Sequence, residues 1–141
     1  MKLRKEKWII VELTKIVDVV NGSTPKSIES AVGNGTYPFL RVSDMNLDGN
    51  EIYIKNYSIA LTKQEIDKFK VKLYPKGTVI FPKRGASIHT NKKRILQQES
   101  GIDLNTMGFI SSREIEPYFL FIWFQTSVHD KNLKLRFSII F

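Results

Sequence analysis

Turn signals cut this 141-residue chain into short pieces, and that limits its possible folds more than any other feature. Asn21-Gly22 with Thr24-Pro25, Asp48-Gly49-Asn50, Pro75-Lys76-Gly77, Pro82 and Pro117 each interrupt a hydrophobic pattern. Between them no apolar run exceeds the seven residues from Tyr118 to Phe124. A membrane-spanning helix needs about 18 or more. The basic start, Met1 to Lys7, leads only into Trp8-Ile9-Ile10-Val11 before Glu12, too short for a secretory apolar region. A cytoplasmic protein with no membrane partner is the expectation.

The pieces themselves read as a mixture of strands and short helices. Leu13, Ile16, Val19 and Val20 recur at helical spacing behind Thr14 as an N-cap, which predicts a short helix or a helix-to-strand entry. Tyr37 to Val42 and Glu51 to Tyr57 alternate apolar and polar residues. They predict two strands paired hairpin-like across the Leu47-Asp48-Gly49-Asn50 turn, with Pro38 at an edge or a strand start. Thr62-Lys63-Gln64-Glu65 is a capping box that opens a two-turn helix through Lys70, with Ile66 and Phe69 inward. Thr78 to Phe81 is a short apolar strand ended by Pro82. A loop from Lys83 to Asn91 and a return strand from Lys92 to Gln97 follow. Ile102 to Phe109 is a further strand region, and Pro117 fits the first position of a largely buried helix reaching Val128. The length fits one domain, and 42% hydrophobic against 26% charged residues fits a globular one.

Charge is concentrated. From Lys68 to Gln98 the chain carries nine basic residues (Lys68, Lys70, Lys72, Lys76, Lys83, Arg84, Lys92, Lys93 and Arg94) and no acidic one. That leaves 13 basic residues against all 14 acidic residues elsewhere, so one segment holds the whole excess behind the net charge of +8. Such a balance points to a polyanionic partner, with a merely solvated basic face as the competing reading.

Motifs for catalysis are missing. The absence of cysteine excludes disulfides, Cys-ligated zinc, iron–sulfur clusters and thiol chemistry. His89 and His129 are isolated, and Gly33-Asn34-Gly35 has Pro38 where a dinucleotide fingerprint needs its third glycine. There is no phosphate loop ending in Gly-Lys-Ser/Thr, no Asn/Asp-Pro-Pro-Tyr/Phe methyltransferase loop and no Pro-Asp with Glu-x-Lys nuclease pattern. Asp44 and Asp48 are more simply turn residues than cation ligands. No cofactor or metal is expected.

The best candidate site is the loop that follows the Thr78 to Phe81 strand. Gly85 and Ala86 let backbone approach a ligand, while Ser87, His89, Thr90 and Asn91 supply neutral donors and acceptors. Lys83, Arg84, Lys92, Lys93 and Arg94 supply positive charge on both sides. Arginine and lysine bind phosphate or the guanine edge and asparagine suits adenine, so the mixture fits base reading in a duplex. In that reading Arg84→Ala relaxes preference at one position and Lys92→Ala weakens all sequences alike. Arg41, at the end of a strand beside Ser43-Asp44, and Lys26 are further candidate contacts, Arg41 competing with an ordinary surface ion pair.

The order of these pieces resembles one target-recognition domain of the DNA-specificity subunit of type I restriction-modification systems. The matching stretches are Trp8 with Leu13, Ile16 and Gly22-Ser23-Thr24-Pro25; Phe39-Leu40-Arg41-Val42-Ser43-Asp44-Met45; Leu73 to Phe81 running into Arg84-Gly85-Ala86-Ser87-Ile88; Asp103-Leu104-Asn105; and Tyr118 to Gln125. The resemblance implies an α+β domain with a twisted, partly barrel-like mixed sheet flanked by short helices. It implies sequence-specific double-stranded DNA binding with no catalysis of its own, methylation and cleavage falling to a methyltransferase subunit and a restriction subunit. Residues 1–129 would form the recognition domain. Residues 130–141 lack the long helix that joins such domains and docks the methyltransferase, so an atypical, truncated tail is expected, and assembly would need that helix from elsewhere. A non-specific RNA-binding or ribosome-associated basic domain is the alternative.

Overall fold

A computed structural model describes residues 8–84, 90–126 and 136–140. Among the described residues, ten strands and two α-helices follow one another in an α+β order: β1 (Trp8–Glu12), β2 (Val17–Asn21), β3 (Tyr37–Leu40), β4 (Tyr53–Ile54), β5 (Ile59–Leu61), α1 (Lys63–Phe69), β6 (Val79–Pro82), β7 (Arg94–Leu96), β8 (Gly101–Ile102), β9 (Thr106–Ser111), α2 (Pro117–Thr126) and β10 (Arg136–Ile140). The main sheet runs β2-β9-β6-β7-β4, a smaller one runs β5-β3-β8, and β1 pairs with β10. Both larger sheets are mixed, because β4 lies parallel to β7 and β3 parallel to β8 while the other pairs are antiparallel. The sheets stay open and do not close into a barrel.

Period-two alternation along β6 explains the layering. Val79 faces α2 and packs with Ile95, Phe109, Leu120, Phe121 and Phe124. Its neighbour Ile80 faces the other way and packs with Leu40, Ile54, Leu96 and Ile102 towards the smaller sheet. Both are fully buried, so the centre of the main sheet is covered on both sides. Register is fixed across it, with Val79 opposite Ile95 on one side and Phe109 on the other. Slipping by one residue would turn every one of these side chains to the wrong face.

Local signals place the helices. Glu65 N–H donates to Thr62 Oγ1 at 3.2 Å and Thr62 N–H donates back to Glu65 Oε2 at 2.9 Å, completing the capping box. Ile66 then packs beneath α1 on Phe39 and Leu61. Helix α2 is only half buried: Leu120, Phe121 and Phe124 face the core, whereas Tyr118, Phe119 and Ile122 are exposed. Among the described residues no helix is long and apolar enough to cross a membrane.

One expectation is resolved between its two forms and another is corrected. Leu13 to Val20 takes the helix-to-strand form, a 3-10 turn at Leu13–Lys15 running straight into β2. Glu51 to Tyr57 is not a hairpin partner of β3. Only Tyr53–Ile54 is strand, and it pairs with β7, while β3 takes β5 and β8. The reason is Asn50, whose buried side chain uses up the backbone a ladder would need. Its Nδ2 donates to the Asp44 and Asn56 carbonyls, and its Oδ1 accepts from the N–H groups of Lys55 and Asn56, at 2.6–2.9 Å. Asp44 is the second anchor, its carboxylate accepting from Arg41 N–H, Ser58 N–H and Ser58 Oγ. These bonds give Asp44 the turn role and occupy both its oxygens.

Candidate nucleic-acid interface

Strand directions bring five chain segments to one end of the main sheet. Strand β6 ends at Pro82 opposite Thr106, the first residue of β9, and β7 begins at Arg94 opposite Ile80. Strand β2 ends there too, with Asn21 opposite Met107, and β4 starts there, with Tyr53 opposite Ile95. The loops that leave this end therefore carry Asn21, Asn46, Lys83, Arg84, Thr90 to Lys93 and Asn105. Close backbone approach helps to fix them: a side chain at Gly22 would lie 2.0 Å from the Asp103 carbonyl, and Lys83 N–H donates to the Asn105 carbonyl at 2.9 Å.

The segment with nine basic residues is divided by the fold. Lys76 lies in the turn before β6, where Gly77 N–H meets the Leu96 carbonyl at the opposite end of the sheet. Lys68, in the last turn of α1, and Lys72, after it, sit over the rings of Phe69 and Tyr74, and Lys70 caps the helix. Only Lys83, Arg84, Lys92, Lys93 and Arg94 reach the loop end.

Two of those five are turned inward. Arg94 is 9% exposed and its guanidinium donates to the carbonyls of Lys93 and Met45 at 2.7 and 2.9 Å, while its Nε has no partner. Burial lowers its pKa, opposed in part by the charge of Glu51. Lys93 is 6% exposed, and its ammonium is held by the Asn91 side-chain and main-chain oxygens. Burial brings the Lys93 pKa down from 10.5 to about 8. Neither residue stands on the surface as a contact of the kind its sequence position suggested. Arg94 is buried because β7 is covered on both faces, and Lys93, just before that strand, is held inward by Asn91.

The outward-facing residues are Arg84, Thr90 and, half-exposed, Lys83, Asn91 and Lys92. Asn91 adopts the left-handed conformation at φ 53° and its Nδ2 reaches the Gln125 carbonyl at the end of α2. Lys83 donates to Asn21 Oδ1 at 3.1 Å, and Lys92 to Asn46 Oδ1. Lys26 is exposed two residues beyond Thr24, whose hydroxyl accepts from Leu104 N–H beside this end. Arg41 is neutralised by Glu29, the ion pair that competed with a binding role. Ser87 and His89 lie outside the described residues. Among the described residues no group of His, Asp and Glu is arranged to hold a metal ion.

Asn21 and Asn46 escape sequence reasoning because each looks like an ordinary turn residue. Nothing local signals that lysines 62 and 46 positions away will meet them.

Comparison with known proteins bears on the family and the fold. A family model described as "Type I restriction modification DNA specificity domain" matches residues 5–138. Two solved structures share the fold, each at 15% identity and each covering 88% of this chain and 28% of the other. They are the HsdS subunit from Thermoanaerobacter tengcongensis (TM-score 0.64) and a chain from a study of complex assembly and conformational transition of the type I R-M system (TM-score 0.62). The chain thus spans little more than a quarter of the length of either.

Proposed function

Because this chain belongs to the type I restriction modification DNA specificity domain family, we propose that it is a sequence-specific double-stranded DNA-binding module that carries out no chemistry itself. Methylation and cleavage fall to a methyltransferase subunit and a restriction subunit, with which the domain works as the reader of part of a target site. The observation that supports this most is the collection of Lys83, Arg84 and Lys92, with the asparagines beside them, on loops from several strands at one end of a rigid sheet. Cations place such a surface on phosphate, and neutral amides at the same height reach base edges. Lys26, Thr90 and Asn91 are assigned to the same surface, and Ser87 and His89 to the loop between. Lys93 and Arg94 support it from beneath.

Competition binding tests the reading. Purified chain is bound to a labelled random-sequence duplex and challenged at fixed salt with unlabelled duplex DNA, single-stranded DNA and structured RNA. Duplex DNA is expected to compete best. Stronger competition by RNA would replace the proposal with a general RNA-binding role.

A further inference from the structure

The two lysine–asparagine pairs at the loop end have a chemical polarity that a lone asparagine lacks. An ammonium has three donors and no acceptor, so an asparagine that meets it must turn its oxygen inward. Lys83 engages the oxygen of Asn21, and Lys92 that of Asn46. Each exposed amide then presents its Nδ2 hydrogens beside the remaining donors of its lysine, while its oxygen keeps one lone pair next to a positive charge. Both asparagines stand on fixed backbone: the carbonyl of Asn21 accepts from the buried Tyr74 hydroxyl at 2.6 Å, and Asn46 follows Met45, whose carbonyl is held by buried Arg94. A supported side chain of this kind reads geometry more sharply than a free one.

Resting on the duplex-binding reading above, we propose that Asn21–Lys83 and Asn46–Lys92 are specificity-determining pairs that select guanine in the major groove. Guanine presents two adjacent acceptors there, N7 and O6, whereas adenine offers one acceptor and one donor and cytosine offers a donor. A free asparagine pairs with adenine through its oxygen and its amide together. The lysine disfavours that option, because it takes one of the oxygen's two lone pairs and sets a positive charge against the adenine N6 donor. Lys92 and Lys83 thereby set the base preference of their neighbours, which replaces the expectation that Lys92 acts only as a uniform phosphate contact. Arg94 is a positioning residue for the Asn46 pair.

Selection from a random duplex pool tests the pairs, using the whole chain and its Lys92→Met and Asn46→Asp variants, all on exposed or half-exposed positions. The wild type is expected to enrich guanine at one or more positions. Lys92→Met frees the Asn46 oxygen, so one of those positions shifts from guanine towards adenine. Asn46→Asp keeps the lysine's acceptor but removes the donors, so guanine preference there falls about tenfold or more, in favour of cytosine. A Lys92→Met protein that binds every duplex more weakly with an unchanged consensus overturns the pairing argument and leaves duplex binding standing. A wild type that enriches no consensus overturns the proposed function as well.

Discussion

The division of the basic run by the fold gives a quantitative prediction for salt. Each phosphate-neutralising cation contributes about −0.9 to the slope of log affinity against log salt on duplex DNA. Had five of the nine clustered cations acted, the slope would be near −4.5. The structure buries Lys93 and Arg94, carries Lys76 to the far end of the sheet, and leaves Lys83, Arg84 and Lys92 at the loop end with Lys26 beside them. Four cations give a slope of about −3.6, which between 50 and 200 mM salt means a loss of affinity of roughly 150-fold. The double variant Lys83→Ala/Arg84→Ala should flatten the slope to about −1.8 and cut that loss to roughly 12-fold. Lys76→Ala removes the same kind of charge from the opposite end and should leave the slope alone. Fluorescence anisotropy on one fixed duplex across a salt series measures all three. If Lys76→Ala flattens the line as the double variant does, the binding surface has been placed at the wrong end.

Two further outcomes concern the scaffold. Asn50→Ala strips four hydrogen bonds from the segment joining Asp44 to Asn56, leaving the buried Asp44 region unsatisfied, and should cost about 2–3 kcal/mol in urea unfolding; a loss under about 0.5 kcal/mol would mean that water replaces the side chain freely. Lys93 binds its proton less tightly folded, at about 8, than unfolded, at 10.5. Between these values the unfolded chain holds more protons, so stability should rise as pH is taken from 8 towards 9.5, below the range where the raised pKa of Tyr74 acts in the opposite sense. Urea midpoints at pH 7.5 and 9.5 check this, and Lys93→Met should abolish the difference between them.

What the sequence reveals is what adjacent residues decide. The capping box at Thr62, the β6–β7 hairpin and the start of α2 at Pro117 are each written within a few positions, and each forms as read. The pairing of Glu51 to Tyr57 is not legible, because alternation says that a strand is compatible but not which backbone groups remain available once Asn50 has bound its neighbours. The same difficulty affects the charges. Nine cations in one stretch identify the region, yet only the burial of β7 on both faces turns Arg94 inward, and only the contact with Asn91 does so for Lys93 just before it. The exposed side of α2, with Tyr118, Phe119 and Ile122, was hidden by a run so apolar that periodicity could not separate its faces.

The burial of the central strands on both sides has a consequence for how such a domain can change. With α2 on one side of Val79 and the smaller sheet against Ile80, the middle of the sheet has no open face, and novelty can enter only where strands stop. The turns after β2, before β7 and around Asn46 come from distant parts of the chain and meet through Lys83–Asn21 and Lys92–Asn46, so a change in one turn is felt by its partner while the interior stays as it is. Under the duplex-binding role proposed above, a new target would come from matched changes at paired strand ends, carried on one unaltered frame.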